Sequence, residues 1–367
     1  MNVLVRNVPL SVLTAVCLFG VQSSHGQTSV TTNPVGYVQL TCTAASDTIV
    51  SVPFTKPPAY VGTVASISGS TVTISGTAGW TANQFVYSGS GTSRYYALMG
   101  AATSGTDPKD GSTYTVVANG TNTLTVSLNG DSLSTVPAGS TISVIPYWTL
   151  GTVFPPSASG TAFIASTSPL FPETEILVPN YSGTGTDLSA SATYFFYNNI
   201  WCLVGDSVSN SHNDDPLMPD GYIMVRNPDT TTTLTAMGNV LTGNFMIPLA
   251  TSATQQQDNS VAICRPVNTS LNNLGLTSGS AFAVTTSPLF TQDQVLIFSG
   301  TEAALDKSAT ATYFYYMGTS GTGWRLVGDS ITNDHGTDTI PAGSGFVIRK
   351  ASTANGNTAF WQNPPTY

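Results

Sequence analysis

Charge is what this chain has least of. Asp, Glu, Lys and Arg make up only 8% of its 367 residues, and the balance is acidic, net −9 with a pI near 4.5. No basic patch is present to neutralise phosphates, which argues against nucleic acid as a partner. Cysteine is scarce too, at Cys17, Cys42, Cys202 and Cys264. So few thiols in so long a chain do not make a disulfide scaffold. Histidine occurs only at His25, His212 and His335. That is a poor supply for zinc, which prefers several N or S ligands at one point. The Leu/Ala/Glu/Lys-rich runs that favour helices are missing. Beyond the N-terminus no apolar stretch approaches the ~20 residues of a membrane-spanning helix.

The N-terminus itself reads as a secretory signal over residues 1–26. Arg6 supplies a short positive region, Val8 to Val21 an apolar stretch, and Ser24 and Gly26 the small residues before a cut ahead of Gln27. Val16, not a small residue, precedes Cys17, which argues against lipid attachment. The mature chain is then expected to be exported, soluble or surface-attached, with no transmembrane span. Its three cysteines are an odd number, so at least one has no partner within the chain. One disulfide or three buried apolar thiols both remain open. Thr, Ser, Asn and Gly stand in for charge as the polar surface.

What the chain does have is repetition. Ala192–Tyr197 reads ATYFFY and Ala311–Tyr316, 119 residues later, reads ATYFYY. Each is followed by a Trp (Trp201, Trp324) and then by LVGDS, Leu203–Ser207 and Leu326–Ser330. Gly160–Phe163 matches Gly279–Phe282, and Ser168–Phe171 matches Ser287–Phe290. Elsewhere period-two runs broken by turn residues predict hairpins. Examples are Val61–Ile67, Ser68-Gly-Ser70, Thr71–Ser75, and the Asn-Gly pairs at 119–120 and 129–130.

The expected fold is therefore all-β, with two or three small β-sandwich or β-barrel modules related by internal repeat. The division that follows is an N-terminal β segment at 27–58, a degenerate first module at 59–156 and a second module at 157–228. A polar connection with strand-like runs covers 229–278, and a third module 279–367. The connection resembles the N-terminal segment in flavour, which makes it a candidate for the missing partner strands.

Few groups can carry chemistry. Gly130-Asp-Ser-Leu133 spells the GDSL of a lipase and esterase class. That chemistry needs a downstream Asp-x-x-His, and Ser209 and Thr332 stand where the Asp should be. Glu173, Glu175, Asp187 and Glu302 have no paired-carboxylate context. The better signal is the shared string GDSxxNxHxxD. It places Asp206, Asn210, His212 and Asp215 in one copy and Asp329, Asn333, His335 and Asp338 in the other. Two readings fit: a cation or polar-ligand loop, or a turn whose side chains bond their own backbone. The turn reading is the expected one, and no cofactor is implied. Arg226 and Arg349 align as well, either pairing with Asp206 and Asp329 or lying solvated at a strand end. The aromatic strands read as buried on both faces, with Tyr315 as the alternative sugar-stacking position.

Val52-Pro-Phe54, Asn119–Leu124, Asn129–Ser132 and Tyr147–Pro155 together resemble an uncharacterised family of secreted β-rich proteins seen mainly in Verrucomicrobia, often in many paralogous copies. The resemblance runs over most of the mature chain. It implies export and β structure and brings no catalytic residue. The expectation is a non-enzymatic exported protein of the cell surface or of an extracellular assembly. Its partners would be itself, cell-surface components or glycans. The alternative is a carbohydrate-binding module or a weak glycan-active enzyme.

Overall fold

The computed structural model describes residues 34–89 and 91–365, so the expected signal segment and its cut lie outside the described residues. Strands dominate at 40% against 4% helix, and the class is all-β. The only α-turn among the described residues is Leu150–Val153.

Residues 60–146 form a closed six-stranded barrel of strands Tyr60–Ser68, Thr71–Ile74, Thr123–Val126, Thr113–Asn119, Tyr95–Ala102 and Ser140–Pro146. Period-two patterning makes it: Val72 and Ile74, Tyr114 and Val116, Leu124 and Val126, and Ile142 and Val144 all point inward. Tyr60, Trp80, Phe85 and Tyr95 form an aromatic chain with successive ring centroids 4.7, 5.2 and 5.1 Å apart.

Around the barrel insertion the chain builds two five-stranded antiparallel sheets of the same order. The first runs Ile200–Leu203, Ala192–Tyr197, Glu175–Val178, Ile223–Asn227, Ser46–Val50. The second runs Gly321–Leu326, Ala311–Gly318, Gln294–Ile297, Gly345–Lys350, Gln257–Ala262. Registers match too. Ile176 faces Tyr194 and Val295 faces Tyr313, while Glu175 lies opposite Arg226 and Gln294 opposite Arg349. Each sheet has a two-stranded ribbon beside it: Val35–Cys42 with Thr232–Asn239, and Phe245–Leu249 with Ala359–Asn363. One core gathers Phe154, Phe163, Ile176, Phe196, Trp201 and Val225. The other gathers Phe245, Val295, Trp324, Phe346, Ile348 and Trp361.

Two expectations on module boundaries change. Residues 59–156 are not a third copy of the sheet unit, because the barrel's strand order is its own. The GDS shared by all three regions is too short a string to specify a fold. In the barrel it is a turn, with Asn129 at φ +46° and Gly130 at φ +87°. The segments 27–58 and 229–278 are not separate either, since they supply the outer strands Ser46–Val50 and Gln257–Ala262 and three of the four ribbon strands. The barrel thus interrupts the first sheet unit between Val50 and Trp148, where residues 263–268 alone link the equivalent strands of the second.

Candidate functional site

The shared polar string forms a loop after each Trp strand. Gly205 and Gly328 turn the chain with φ of +91° and +90°, a backbone conformation that a β-carbon disfavours. The histidine then returns to the strand: His212 N–H donates to the Trp201 carbonyl at 2.9 Å, and His335 N–H to the Trp324 carbonyl at 3.0 Å. In each loop the backbone N–H of the second aspartate donates to the histidine carbonyl, at 3.1 Å for Asp215 and 3.0 Å for Asp338.

This folding gathers all eight expected residues into two clusters of four. His212 Nδ1 meets Asp215 Oδ2 at 2.9 Å and Nε2 meets Asp206 Oδ2 at 3.1 Å. His335 meets Asp338 and Asp329 in the same way, both at 2.9 Å. Asn210 Nδ2 donates to both Asp206 oxygens at 3.1 Å, and Asn333 Nδ2 to Asp329 Oδ2 at 3.0 Å. The core reaches each cluster through a tyrosine: Tyr194 Oη donates to Asp215 at 2.8 Å and Tyr313 Oη to Asp338 at 2.9 Å. The side chains therefore bond chiefly one another, which corrects the expectation that they point to their own backbone. Of the four cluster side chains in the first loop, Asp206 alone bonds nearby backbone, accepting the Ser207 N–H on Oδ1 at 2.7 Å.

The electrostatics follow from the geometry. Partial burial alone would lower the His212 pKa, but the bonds to Asp215 and Asp206 outweigh it and raise it above the ordinary value. For His335 the bonds to Asp329 and Asp338 are the leading cause of the same upward shift. Asn210, the Ser207 amide and His212 hold Asp206 below the usual carboxylate range. Asn333, His335 and the Ser330 amide bring Asp329 to about 2. Both shifts favour the protonated imidazole, which donates from both nitrogens. In that form it has no lone pair with which to abstract a proton or bind a metal. Among the described residues no group of three or more His, Cys, Asp or Glu is arranged to hold a metal ion.

The arginines pair with partners other than those expected. Arg226 grips Asp47, not Asp206, through Nε and Nη2 at 2.7 and 2.8 Å. Arg349 grips Asp258, not Asp329, at 2.7 and 2.9 Å. The reason is strand order: Asp47 and Asp258 lie on the outer strands, directly opposite the arginines. Each pair then captures a loop of the other sheet unit. Asp306 donates its N–H to Asp47 at 2.8 Å and accepts from Arg226, while Asp187 does the same with Asp258 at 2.9 Å and Arg349. Both Asp187 and Asp306 take positive φ, 53° and 49°. This reciprocal clasp was missed in the sequence. The signal was there: Asp187 and Asp306 are separated by the repeat offset of 119 residues.

Other candidates are committed elsewhere. Ser132 bonds Ser134 at 3.0 Å, and Asp131 is engaged by Lys109 and Tyr114. Tyr315 is half-buried against Trp324, and Phe195 and Phe314 are buried, so the aromatic strands are covered on both faces. A cleft of about 450 Å³ lies between the barrel and the second ribbon, lined in part by Tyr114, Asn129, Asp131, Asn357, Thr358 and Phe360. No protein-family model, curated protein or solved structure matches this chain.

Proposed function

We propose that this chain is an exported, non-enzymatic structural or interaction protein of the cell surface or of an extracellular assembly. The observation that carries the reading is the pair of SPLF loops. Leu170 and Phe171 are 79% and 76% exposed, and Leu289 and Phe290, 119 residues on, are 84% and 74% exposed. Large apolar side chains displayed together are characteristic of contact surfaces. The same display at two corresponding places supplies two attachment points per chain. The histidine clusters agree, since both nitrogens of each imidazole are engaged by carboxylates.

The test is fractionation of the mature protein from its source cells, with sedimentation of the purified protein. Wild type is expected in the envelope or matrix fraction, or as an oligomer. Replacing Leu170, Phe171, Leu289 and Phe290 together with Ser should release a folded monomer. A wild-type protein that is strictly monomeric and binds neither envelope nor matrix refutes the reading. A second reading, glycan binding, is supported by the cleft at Asp131 and Phe360, which combines acceptors, amides and an aromatic ring. A glycan array that shows no affinity lost on Asn129→Ala or Phe360→Ala ends it.

A further inference from the structure

One buried pair in the second sheet serves neither the loops nor the clasp. Lys350 ends the strand Gly345–Lys350, and Asp293 precedes its antiparallel neighbour Gln294–Ile297, in which Gln294 faces Arg349. The two side chains are 4% and 1% exposed, and Lys350 Nζ touches Asp293 Oδ2. Nζ also donates to the Ala281 carbonyl at 2.5 Å and faces the Phe282 ring at 5.9 Å. Asp293 Oδ1 accepts the Ala351 N–H and Oδ2 the Ala283 N–H, each at 2.7 Å.

As a stabilising device such a pair is poor. Desolvating two charges offsets most of their attraction, and neutral residues of similar size often serve as well. The first sheet does without charge at the corresponding corner. There Thr174 and Asn227 flank the Glu175–Arg226 pair and share one neutral hydrogen bond of 2.8 Å. The corner closes without an ion pair, so the charges in the second sheet call for another reason.

We infer that Lys350 and Asp293 are joined by an intramolecular amide bond from Nζ to the side-chain carboxyl carbon. The Nζ lone pair adds to that carbon as two ammonium protons pass to the touching Oδ2. Oδ1 carries the developing negative charge against the Ala351 N–H. The carbon–Oδ2 bond breaks, and Oδ2 leaves as water. One ammonium and one carboxylate become one amide and one water, with no oxidant or other co-reactant. Fixed contact replaces a bimolecular encounter, an advantage that reaches effective molarities of about 10⁵–10⁸ M. Burial keeps water from reversing the step. The bond would cross-link adjacent strands of a chain whose Cys42, Cys202 and Cys264 are all free thiols.

Mass spectrometry of the full mature protein tests this. The wild type is expected one water lighter than its sequence, and a digest should yield a branched peptide joining the Asp293 and Lys350 segments. Lys350→Arg and Asp293→Ala should each restore the full mass. A wild-type protein at full mass overturns the inference. So does a water loss that persists in Lys350→Arg, which places the dehydration elsewhere, for example at Asp110-Gly111. The wild-type digest decides the matter even if a variant fails to fold.

Discussion

Removing Arg226 tests the clasp at its most buried carboxylate. The Asp47 side chain is 4% exposed and that of Arg226 25%. Burial alone would raise the Asp47 pKa, but Arg226 and the Asp306 amide outweigh it and hold it below the usual range. Arg226→Met keeps an unbranched apolar stem and deletes the charge, leaving a buried carboxylate with one backbone donor. Breaking a buried pair from one side costs about 3–5 kcal/mol, and the partial exposure of Arg226 places the expected loss near the low end, about 3 kcal/mol. Adding Asp47→Val removes the stranded charge, so the double variant should recover part of that loss. Urea denaturation of wild type, Arg226→Met, Asp47→Val and the double variant gives the cycle, with the midpoint shifting at unchanged slope. If Arg226→Met lies within about 0.5 kcal/mol of wild type, the pair is an ordinary solvated one and the reasoning fails.

Four further outcomes are expected. The folded-state pKa values of His212 and His335 are raised, so their contribution to stability is complete below the unfolded value of about 6.5 and is lost as pH rises through the folded values. Asp206 and Asp329 are lowered, so theirs is present above about 3.9 and is lost as pH falls, for Asp329 toward about 2. The clusters should therefore stabilise most between about pH 4 and 6.5, a dependence that denaturation curves should show lost on the acid side and weakened on the alkaline side in the Asp206→Ala, Asp329→Ala double variant, where Asp215 and Asp338 still hold the histidines. Chelator should leave the melting temperature unchanged, and a drop that vanishes in the same double variant would establish a bound cation. Burial pushes Cys42 and Cys264 up to about 12, so a thiol reagent should leave both untouched until denaturant is added. Trp201, fully buried with its indole on the Phe154 carbonyl at 3.0 Å, should cost about 3–5 kcal/mol as Ala, whereas exposed Val204→Ala should stay within about 0.5 kcal/mol.

Local pattern was legible and distant pairing was not. The Ser68-Gly-Ser70 turn and the Asn129-Gly130 turn stand where turn chemistry puts them. Asn119-Gly120 reads the same way, yet Asn119 is buried and its amide bonds Phe85, Thr81 and Gly120. A dipeptide does not reveal whether its Asn serves the turn or staples a neighbouring loop. Ser46–Val50 has no local sign that its partner is Ile223–Asn227. Only the buried face and the register select it. The histidine string was legible as a unit because both copies kept it whole. Its partners Tyr194 and Tyr313 stood in the other conspicuous motif, and the link between the two motifs needed the fold. The Lys350–Asp293 pair was invisible, because neither burial nor the strand register across it can be read from two ordinary residues.

The two histidine clusters make their main contacts alike, to within a few tenths of an ångström. That likeness bears on what they are for. In both copies each nitrogen of the imidazole is engaged by a carboxylate. Each cluster has a continuous path from core to loop. The tyrosine of the aromatic strand bonds the second aspartate, which bonds the histidine, which bonds the first aspartate beside the turning glycine. The backbone closes the same circuit, with Leu150 N–H on the Asp215 carbonyl at 3.1 Å and Leu271 N–H on the Asp338 carbonyl at 3.0 Å. Such a network rigidifies when every member is satisfied. In a chain poor in charge, two aspartates per histidine are a large share of the ionisable residues to commit to one loop. The loops they hold end the strands that carry Trp201 and Trp324, so their rigidity is transmitted to both cores. The clusters are therefore best understood as parts of the scaffold, which leaves the exposed SPLF loops for the proposed contact with a partner.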